Sequence, residues 1–448
     1  MSLNAEHSHD HVVLESEFEH EPVPQEHRRS LRSISAVWLG FPMVLTSAVF
    51  GGTIIYSLGF WQGLGAILVG NIVLLLYVGT LSYMAGKTGK NFALIAADTF
   101  GRFGAKIPAG LLATVVVGWF AFQVGLTGST LESALGWNPS WMILIGGAFF
   151  IFITFVGVRA LTIIGVIAAP FFAIMTVVAI AFAANAGGIG EVAAYAGGPG
   201  GSILSFGAAV SIVIASFADS GTMTADFTRW SRSGREAVLA TLTAFPFANT
   251  IALMVGGFIV AAGMAIDPAA NGGDFLPALT NNGPILTAIA VVFVFINLGS
   301  VAAHCLYNGA VGWSQLSGGR MRVLTVGLGV VGVAAALAGV WSYFAEWLNI
   351  LGVLVPPIGA VLIVDQVIQR RALSRSAQAW RVQPFVAWGI GSLAAFLVHF
   401  YAPQFSQALV GIIVGGVAYA MIGSRSSVEP LQAQNDDSKT AEFAGGAR

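Results

Sequence analysis

The sequence is poor in charged residues and holds a single cysteine. Asp, Glu, Lys and Arg make up 9% of its 448 residues, whereas a soluble domain carries about 25%. Hydrophobic residues make up 56%, and the mean hydropathy is +0.80. One cysteine excludes an internal disulfide framework, and a net charge of −1 gives no reason to expect nucleic acid as a partner. This composition is typical of an integral membrane protein.

Twelve apolar stretches are long enough to cross a bilayer as helices. We number them segments 1 to 12 and predict an all-α membrane domain over 31–423, flanked by disordered cytoplasmic tails at 1–30 and 424–448. Five of the seven histidines fall in the first tail, where no fixed ligand geometry favours metal binding. The predicted boundaries are 34–56, 61–85, 107–131, 140–158, 160–184, 202–228, 237–263, 284–307, 322–341, 347–368, 384–402 and 405–423.

Positive charge is missing from one set of connections. All 20 Lys and Arg residues lie before segment 1, in even-numbered connections, or after segment 12. With a cytoplasmic N-terminus, every positive charge is therefore cytoplasmic, as the positive-inside rule requires. We predict a multi-pass protein of the cytoplasmic membrane, surrounded by lipid, with both termini in the cytoplasm.

Two segments carry signs of a broken helix. In segment 6 the string SFADSGT at 216–222 places Asp219 and Gly221 in an apolar helix, where a carboxylate is costly unless it serves a function. In segment 1 the string GGT at 51–53 weakens the helix and would free carbonyls, although close helix packing is the alternative. Breaks five segments apart indicate an inverted repeat with a mid-membrane site.

The same strings carry a resemblance to a known family. GGT at 51–53, GWF at 118–120, the run 216–230 (SFADSGTMTADFTRW), VPQ at 23–25 and PPIG at 356–359 resemble the nucleobase:cation symporter-1 family, and within it the bacterial cytosine permeases. The resemblance implies a leucine-transporter-like fold of two inverted five-helix repeats, about 34–184 and 202–368, with segments 11 and 12 (384–423) outside them. It also implies a secondary active transporter that imports a nucleobase with a cation by alternating access.

The resemblance assigns substrate-binding roles to several residues. Trp119 and Phe217 would stack on the two faces of a planar heterocycle, a contact worth about 1–3 kcal/mol per base. Gln123, one helical turn after Trp119, and Ser216 would bind the ring edge, and a glutamine at this spacing is found in hydantoin-type relatives. We therefore keep a proton-driven permease for hydantoin, allantoin or a thiamine-precursor pyrimidine as an alternative.

Asp219 and Asn297 complete the predicted substrate site. A carboxylate at 219, where cytosine permease has a small hydroxyl residue, can accept two ring N–H groups or carry the coupling proton. A structural ion pair is the third reading, yet no Lys or Arg lies at comparable depth in any segment. The amide of Asn297 in segment 8 is a further edge contact.

The coupling ion is Na⁺ or H⁺, and no cofactor is expected. Backbone carbonyls from Ala48 to Gly51 and the hydroxyl of Ser300 would form a sodium site. Sodium-coupled relatives have a second hydroxyl residue where this chain has Val301, which weakens that site. His304, one turn further on, titrates near neutrality and offers a route for protons.

The remaining candidates concern gating. Asp226 lies one turn before Arg229, so the pair is a candidate gate or capping salt bridge, while Gly52 and Gly221 are candidate hinges. Pro356 and Pro357 would make segment 10 a flexible gate. We expect a monomer, and keep a membrane-embedded enzyme or a channel only as remote alternatives, because no HExxH motif or paired carboxylates are present.

Overall fold

The computed structural model describes residues 18, 21–185, 188–199, 204–369 and 378–424. Apart from an isolated bridge between Arg29 and Ser231, the regular structure of these residues is helical. The predicted C-terminal tail lies outside the described residues except for its first position. Of the predicted N-terminal tail, residues 21–30 pack on the bundle: the Val23 N–H donates to Gly89 O at 2.9 Å and the Arg29 N–H to Trp230 O at 2.7 Å. The N-terminal boundary at residue 30 was therefore placed too far along the chain.

Each predicted segment coincides with one or more apolar helices. Among the described residues, eight helices are long enough to cross a membrane: Phe60–Thr88, Lys106–Leu135, Pro139–Val156, Ile163–Asn185, Gly234–Ala261, Pro284–Ser317, Val340–Ile368 and Val382–Tyr401. A bent pair, Leu31–Gly40 and Leu45–Leu58, forms a ninth candidate. Segments 6, 9 and 12 contain the shorter apolar helices Phe206–Ala215, Met321–Leu337 and Gln407–Ile422. The chain is thus a multi-pass helical protein, and twelve crossings stay a prediction.

Segment 1 is broken at Pro42 and not at its glycine pair. The two helices of this segment meet at an angle of 57°, because a proline ring cannot continue the hydrogen-bond ladder of the preceding turn. Gly51 and Gly52 lie inside the unbroken helix Leu45–Leu58. The predicted break at these glycines, and with it the hinge role of Gly52, is therefore wrong.

The glycine pair serves close packing between segments 1 and 7. A Cβ on Gly51 would lie 1.7 Å from the Leu253 carbonyl oxygen, and a Cβ on Gly52 would lie 2.0 Å from the Gly273 nitrogen. Facing them, a Cβ on Gly256 would lie 1.8 Å from the Ala48 carbonyl oxygen. The backbones touch because both surfaces lack side chains, as is common between membrane helices.

Segment 6 is interrupted as predicted, but one turn earlier than Gly221. The helix Phe206–Ala215 ends at Ser216, and two short helices, Ala218–Thr222 and Ala225–Thr228, follow it. Phe217 stands at the break with φ −132° and ψ 16°. Gly221 lies within a short helix, where a Cβ would meet Val78 Cγ2 at 2.6 Å. Its small size is thus required for packing against segment 2, which corrects its predicted hinge role.

The helix of segment 10 is interrupted just before its proline pair. The helix Phe344–Leu354 ends just before the helix Pro356–Ile363, which begins with the two prolines. Pro357 packs against glycines of segments 11 and 12, since a Cβ on Gly391 would lie 2.9 Å from Pro357 Cβ. This junction gives segment 10 a joint, and its predicted gating role stays a prediction.

The two interrupted segments lie against the two longest helices of the bundle. Helix Pro284–Ser317 packs on helix Lys106–Leu135, and helix Leu45–Leu58 packs on helix Asn249–Ala261. The breaks at Pro42 and Ser216 face the space between these helices. Unpaired backbone and polar side chains therefore surround one point of an otherwise apolar core.

Candidate functional site

A narrow cavity of about 40 Å³ lies where the two broken segments meet. Five of the six predicted substrate-binding residues line it: Trp119, Gln123, Ser216, Phe217 and Asp219. His304 lines it as well, and so do Thr46, Phe50, Cys305 and Asn308, none of which the sequence argument had placed in the site. The break at Pro42 explains Thr46 and Phe50, because it turns the following helix toward the cavity.

Trp119 and Phe217 are held by contacts with other aromatic rings. The Trp119 ring is buried and packs edge-on to Phe344 at 5.2 Å between ring centroids, and its indole N–H reaches the carboxyl of Asp219. The Phe217 ring packs edge-on to Phe41 at 5.9 Å and to Phe245 at 5.1 Å. Edge contacts of this kind fix a ring while leaving its face available.

The polar side chains of the cavity keep unused hydrogen-bonding capacity. The Thr46 hydroxyl donates to Gln123 Oε1 at 2.7 Å, and the Gln123 amide nitrogen has no protein acceptor among the described residues. Ser216 Oγ donates to Val213 O at 2.9 Å, within its own helix. The hydroxyl of Ser216 can still accept a hydrogen bond.

Asp219 places a carboxyl group in the cavity without a positive partner. Its side chain is 2% exposed, and Oδ1 accepts the N–H of Ser220 at 2.7 Å. Among the described residues no Lys or Arg forms an ion pair with it, so the structure offers nothing for the predicted alternative of structural pairing. A buried charge without a partner is costly, which makes this carboxyl a group expected to bind a ligand or a proton.

Asn297 lies outside the cavity lining, contrary to the prediction. Its Nδ2 donates to Met43 O at 3.1 Å, and its Oδ1 accepts the N–H of Leu45 at 2.8 Å. The amide thus pairs with the backbone groups released by the break at Pro42. The amide nitrogen and oxygen are both hydrogen-bonded, because the bent backbone leaves a C=O and an N–H that need partners. Asn297 therefore stabilises the break and does not contact the cavity.

The oxygen atoms of the predicted sodium site lie at helix contacts. The carbonyl oxygen of Ala48 faces Gly256, and the Gly51 carbonyl lies 3.5 Å from where a Cβ on Gly257 would be, so both face segment 7. Ser300 Oγ faces segment 5, 3.8 Å from the position of a Cβ on Gly165. These oxygens therefore lie beside two different segments, and the predicted sodium site stays a prediction.

His304 lies at the boundary between the small cavity and a larger one. Its Nδ1 is 2.7 Å from the carbonyl oxygen of Ser300, and since a carbonyl only accepts, Nδ1 carries a proton. Met223, Phe227, His304 and Asn308 line both cavities. These four side chains lie between the two cavities.

The larger cavity, about 590 Å³, forms a vestibule at the arginine-rich end of the bundle. Arg29, Arg102, Lys106 and Arg229 line it together with the carboxyl of Asp226. Asp226 Oδ1 accepts the N–H of Phe92 at 2.9 Å, and the guanidinium of Arg229 donates to Phe18 O at 2.8 Å. Asp226 thus accepts a backbone N–H at the start of the helix Phe92–Phe100, and its predicted role as a gate or capping salt bridge with Arg229 stays a prediction.

An aromatic layer of Phe50, Phe122 and Phe344 lies beside the cavity. The Phe50 and Phe344 rings stack at 4.8 Å with an interplanar angle of 10°, and Phe122 stacks on the same Phe344 ring. The three rings come from segment 1, segment 3 and the helix Phe344–Leu354. Phe50 lines the cavity itself, so the layer supports one of its walls.

Solved structures with this architecture are membrane transporters. The inward-facing conformation of Mhp1 matches with a TM-score of 0.75 at 18% identity, covering 90% of this chain and 93% of that one. Mhp1 in a closed conformation with bromovinylhydantoin bound, described as a nucleobase-cation-symport-1 family transporter, matches with 0.71 at 20% identity, covering 90% and 94%. A Na⁺-coupled sialic acid symporter matches with 0.63 at 12% identity, covering 89% of both chains. The fold is that of this class of helical membrane transporters.

The sequence comparisons identify the family. A family model described as a permease for cytosine/purines, uracil, thiamine and allantoin matches residues 22–399, and the chain belongs to this family. Cytosine permease of Escherichia coli K12 is 32% identical over 360 residues, 80% of this chain and 82% of the relative. Hydantoin permease of Microbacterium maritypicum is 25% identical over 367 residues, 76% and 73%. The predicted family and the prediction of a transporter, not an enzyme, are confirmed.

Proposed function

We propose that this protein is a secondary active transporter that imports a nucleobase, cytosine or a related purine or pyrimidine, by cation symport with alternating access. The observation that carries the proposal is the cavity itself. It combines two buried aromatic rings, Trp119 and Phe217, with the polar groups of Gln123 and Asp219.

The cavity chemistry fits a flat heterocycle with polar edges. Aromatic faces stack on any nucleobase, and each stacked base contributes about 1–3 kcal/mol. The free amide nitrogen of Gln123 can donate to a ring carbonyl, while the Asp219 carboxyl can accept from a ring N–H or an exocyclic amine.

The surroundings of the cavity fit alternating access. The aromatic layer of Phe50, Phe122 and Phe344 lies beside the cavity, while the vestibule lies at the end that bears the positive charges. By the positive-inside rule the vestibule and both termini are cytoplasmic, so a path from the vestibule to the cavity would be the inward route. Release of the layer as the two inverted repeats rock would open the site to the other side.

One observation favours a different substrate. Gln123 follows Trp119 by one turn and is fixed by Thr46, which positions an amide for the paired C=O and N–H groups of a cyclic imide such as hydantoin. A permease for hydantoin, allantoin or a thiamine-precursor pyrimidine is therefore the second candidate. A channel is disfavoured by the aromatic layer beside the cavity.

Uptake into proteoliposomes distinguishes these candidates. The purified full chain is reconstituted, and uptake of labelled cytosine is measured against an excess of unlabelled cytosine, uracil, hydantoin or allantoin. We expect saturable uptake, accelerated exchange when the vesicles are preloaded with cytosine, and competition by cytosine above the others. Stronger competition by hydantoin than by unlabelled cytosine would favour the second candidate. Uptake that never saturates would contradict a carrier. Empty liposomes provide the background.

A further inference from the structure

The side chain of Asn297 closes the place where a cation would bind between segments 1 and 8. The break at Pro42 releases the C=O of Met43 and the N–H of Leu45. The Asn297 amide satisfies both, donating to Met43 O at 3.1 Å and accepting from Leu45 at 2.8 Å. A cation at the break would take that carbonyl oxygen, which an amide N–H already holds. The side chain thus neutralises the freed backbone without an ion.

The oxygens that would complete a sodium site are turned elsewhere. The carbonyls of Ala48 and Gly51 face segment 7, and the hydroxyl of Ser300 faces Gly165 of segment 5. Val301, the neighbour of Ser300, lines the cavity with carbon atoms only. Hard cations require several oxygen ligands at one point, and the Met43 carbonyl oxygen, which the break releases, already accepts the Asn297 amide N–H.

The cavity does contain a group suited to a proton. Asp219 is its only carboxyl residue among the described lining residues, it is 2% exposed, and no Lys or Arg lines the cavity with it. One of its oxygens accepts the Ser220 N–H, and the Trp119 indole N–H also reaches the carboxyl. Each carboxyl oxygen offers two lone pairs, so the group can still bind a ligand or a proton. Met223 and His304 line both this cavity and the vestibule, so a movement of these side chains would let vestibule water reach the carboxyl.

We propose that the coupling ion is a proton carried by Asp219, and that the Asn297 amide takes the place of a sodium ion at the break in segment 1. This inference rests on the proposed function and specifies its coupling ion. In the outward-open state the carboxylate takes a proton from water, which removes the buried charge and permits closure around the substrate. In the inward-open state the O–H bond breaks, the electron pair stays on the carboxylate, and vestibule water accepts the proton.

Few other titratable groups face Asp219. Its short helix packs against the helices Phe60–Thr88, Lys106–Leu135, Phe206–Ala215, Phe344–Leu354 and Pro356–Ile363. Tyr77 on the first of these is hydrogen-bonded to Thr222, and His304 and Cys305 line the same cavity. The other titratable residues of these helices are exposed and lie toward the helix ends: Tyr83, Lys87, Lys106, Glu132 and Glu346. Asp219 is thus the acid at this position.

A first experiment tests the sodium half without any substrate. The melting temperature of the purified full chain is measured in NaCl, KCl and choline chloride at equal ionic strength, since an ion that binds only the folded state raises Tm. We expect equal Tm in the three salts for the wild type and for Ser300→Ala. A rise specific to sodium that Ser300→Ala abolishes would overturn the inference.

A second experiment tests the proton half, also without substrate. Infrared difference spectra of the wild type minus Asp219→Asn are recorded between about pH 5 and about pH 9, a range that covers most displaced carboxyl titrations. We expect the C=O stretch of a protonated carboxyl, sensitive to D₂O, at low pH and its loss at high pH. Absence of this band throughout would show that Asp219 never holds a proton and would refute its role.

Uptake then connects both halves to transport. We expect labelled cytosine to accumulate with an acidic exterior in sodium-free buffer, and Asp219→Asn to lose this dependence on pH. Asp274→Asn, which alters a buried carboxyl in the connection between segments 7 and 8, should keep it. Accumulation driven by sodium with pH clamped by nigericin would overturn the proposal. Failure to transport cytosine at all would instead reject the proposed substrate, while the melting and infrared results still decide the coupling ion.

Discussion

Replacing Trp119 by alanine should weaken substrate binding far more than replacing a tryptophan outside the cavity. The indole forms one wall of the cavity and packs edge-on against Phe344 at 5.2 Å, so its face is available for stacking. One stacked base contributes about 1–3 kcal/mol to the binding free energy. Losing this contact corresponds to a rise in Kd of roughly 5- to 150-fold. Trp119→Phe keeps an aromatic face and removes only the N–H, so we expect a loss of less than about tenfold.

The assay is the Kd of labelled cytosine for the purified protein, measured beside its melting temperature. A Trp→Ala change in a core costs about 3–5 kcal/mol of stability, so binding must be compared only where the variant is folded. Trp347→Ala is the matched control, because Trp347 packs on the neighbouring Gly118 yet lies outside the cavity lining. Equal Kd values for Trp119→Ala and the wild type, both folded, would refute the stacking argument.

Three further predictions concern packing, access and pH. Gly51→Ala should lower Tm strongly or prevent folding, since its Cβ would lie 1.7 Å from the Leu253 carbonyl oxygen. The control Gly327→Ala, with no atom within 4 Å of its Cβ, should leave Tm unchanged or slightly raised. Equal Tm values for the two variants would contradict the helix contact. Cys305, the single cysteine, lines the cavity, so saturating cytosine should slow its alkylation by a small maleimide several-fold, and an unchanged rate would place the substrate elsewhere. Burial raises the pKa of Asp274 from 3.8 to about 6, so its contribution to stability is fully present below pH 3.8 and declines as pH rises through 6. Asp274→Asn should therefore stabilise the protein at pH 7.5, increasing the free energy of unfolding by at most about 3 kcal/mol and raising Tm. This increase should vanish in thermal melts at acidic pH. An increase in Tm that is equal at all pH values would count against this titration.

Five of the candidate substrate-binding residues line one cavity because they lie on regular helices or next to a strong break, and their roles toward a substrate stay predictions. Trp119 and Gln123 share one face of an uninterrupted helix, so their spacing alone brings them together. Phe217 and Asp219 flank the interruption that the polar string at 216–222 announces. Phe41, Phe50 and Cys305 were missed, because apolar residues in apolar segments carry no signal that separates cavity lining from core.

The cation side could not be predicted from the sequence. The glycine pair at 51 and 52 reads equally as a hinge or as a packing surface, and only the 1.7 Å approach to Leu253 decides for packing. Asn297 looks like any buried amide in the sequence. Its partners, Met43 and Leu45, lie more than 250 residues away along the chain.

Sequence alone determined the properties that depend on composition and local order. The scarcity of charge indicated a membrane protein, and the placement of every Lys and Arg predicted its orientation in the membrane. The strings at 118–120 and 216–230 identified its family. Tertiary structure decided where the helices break, which polar groups meet and which side chains line the cavity. These features depend on contacts between helices that are distant in the sequence. A helix in lipid satisfies its own backbone hydrogen bonds, so the helices packed around it determine where each polar group points.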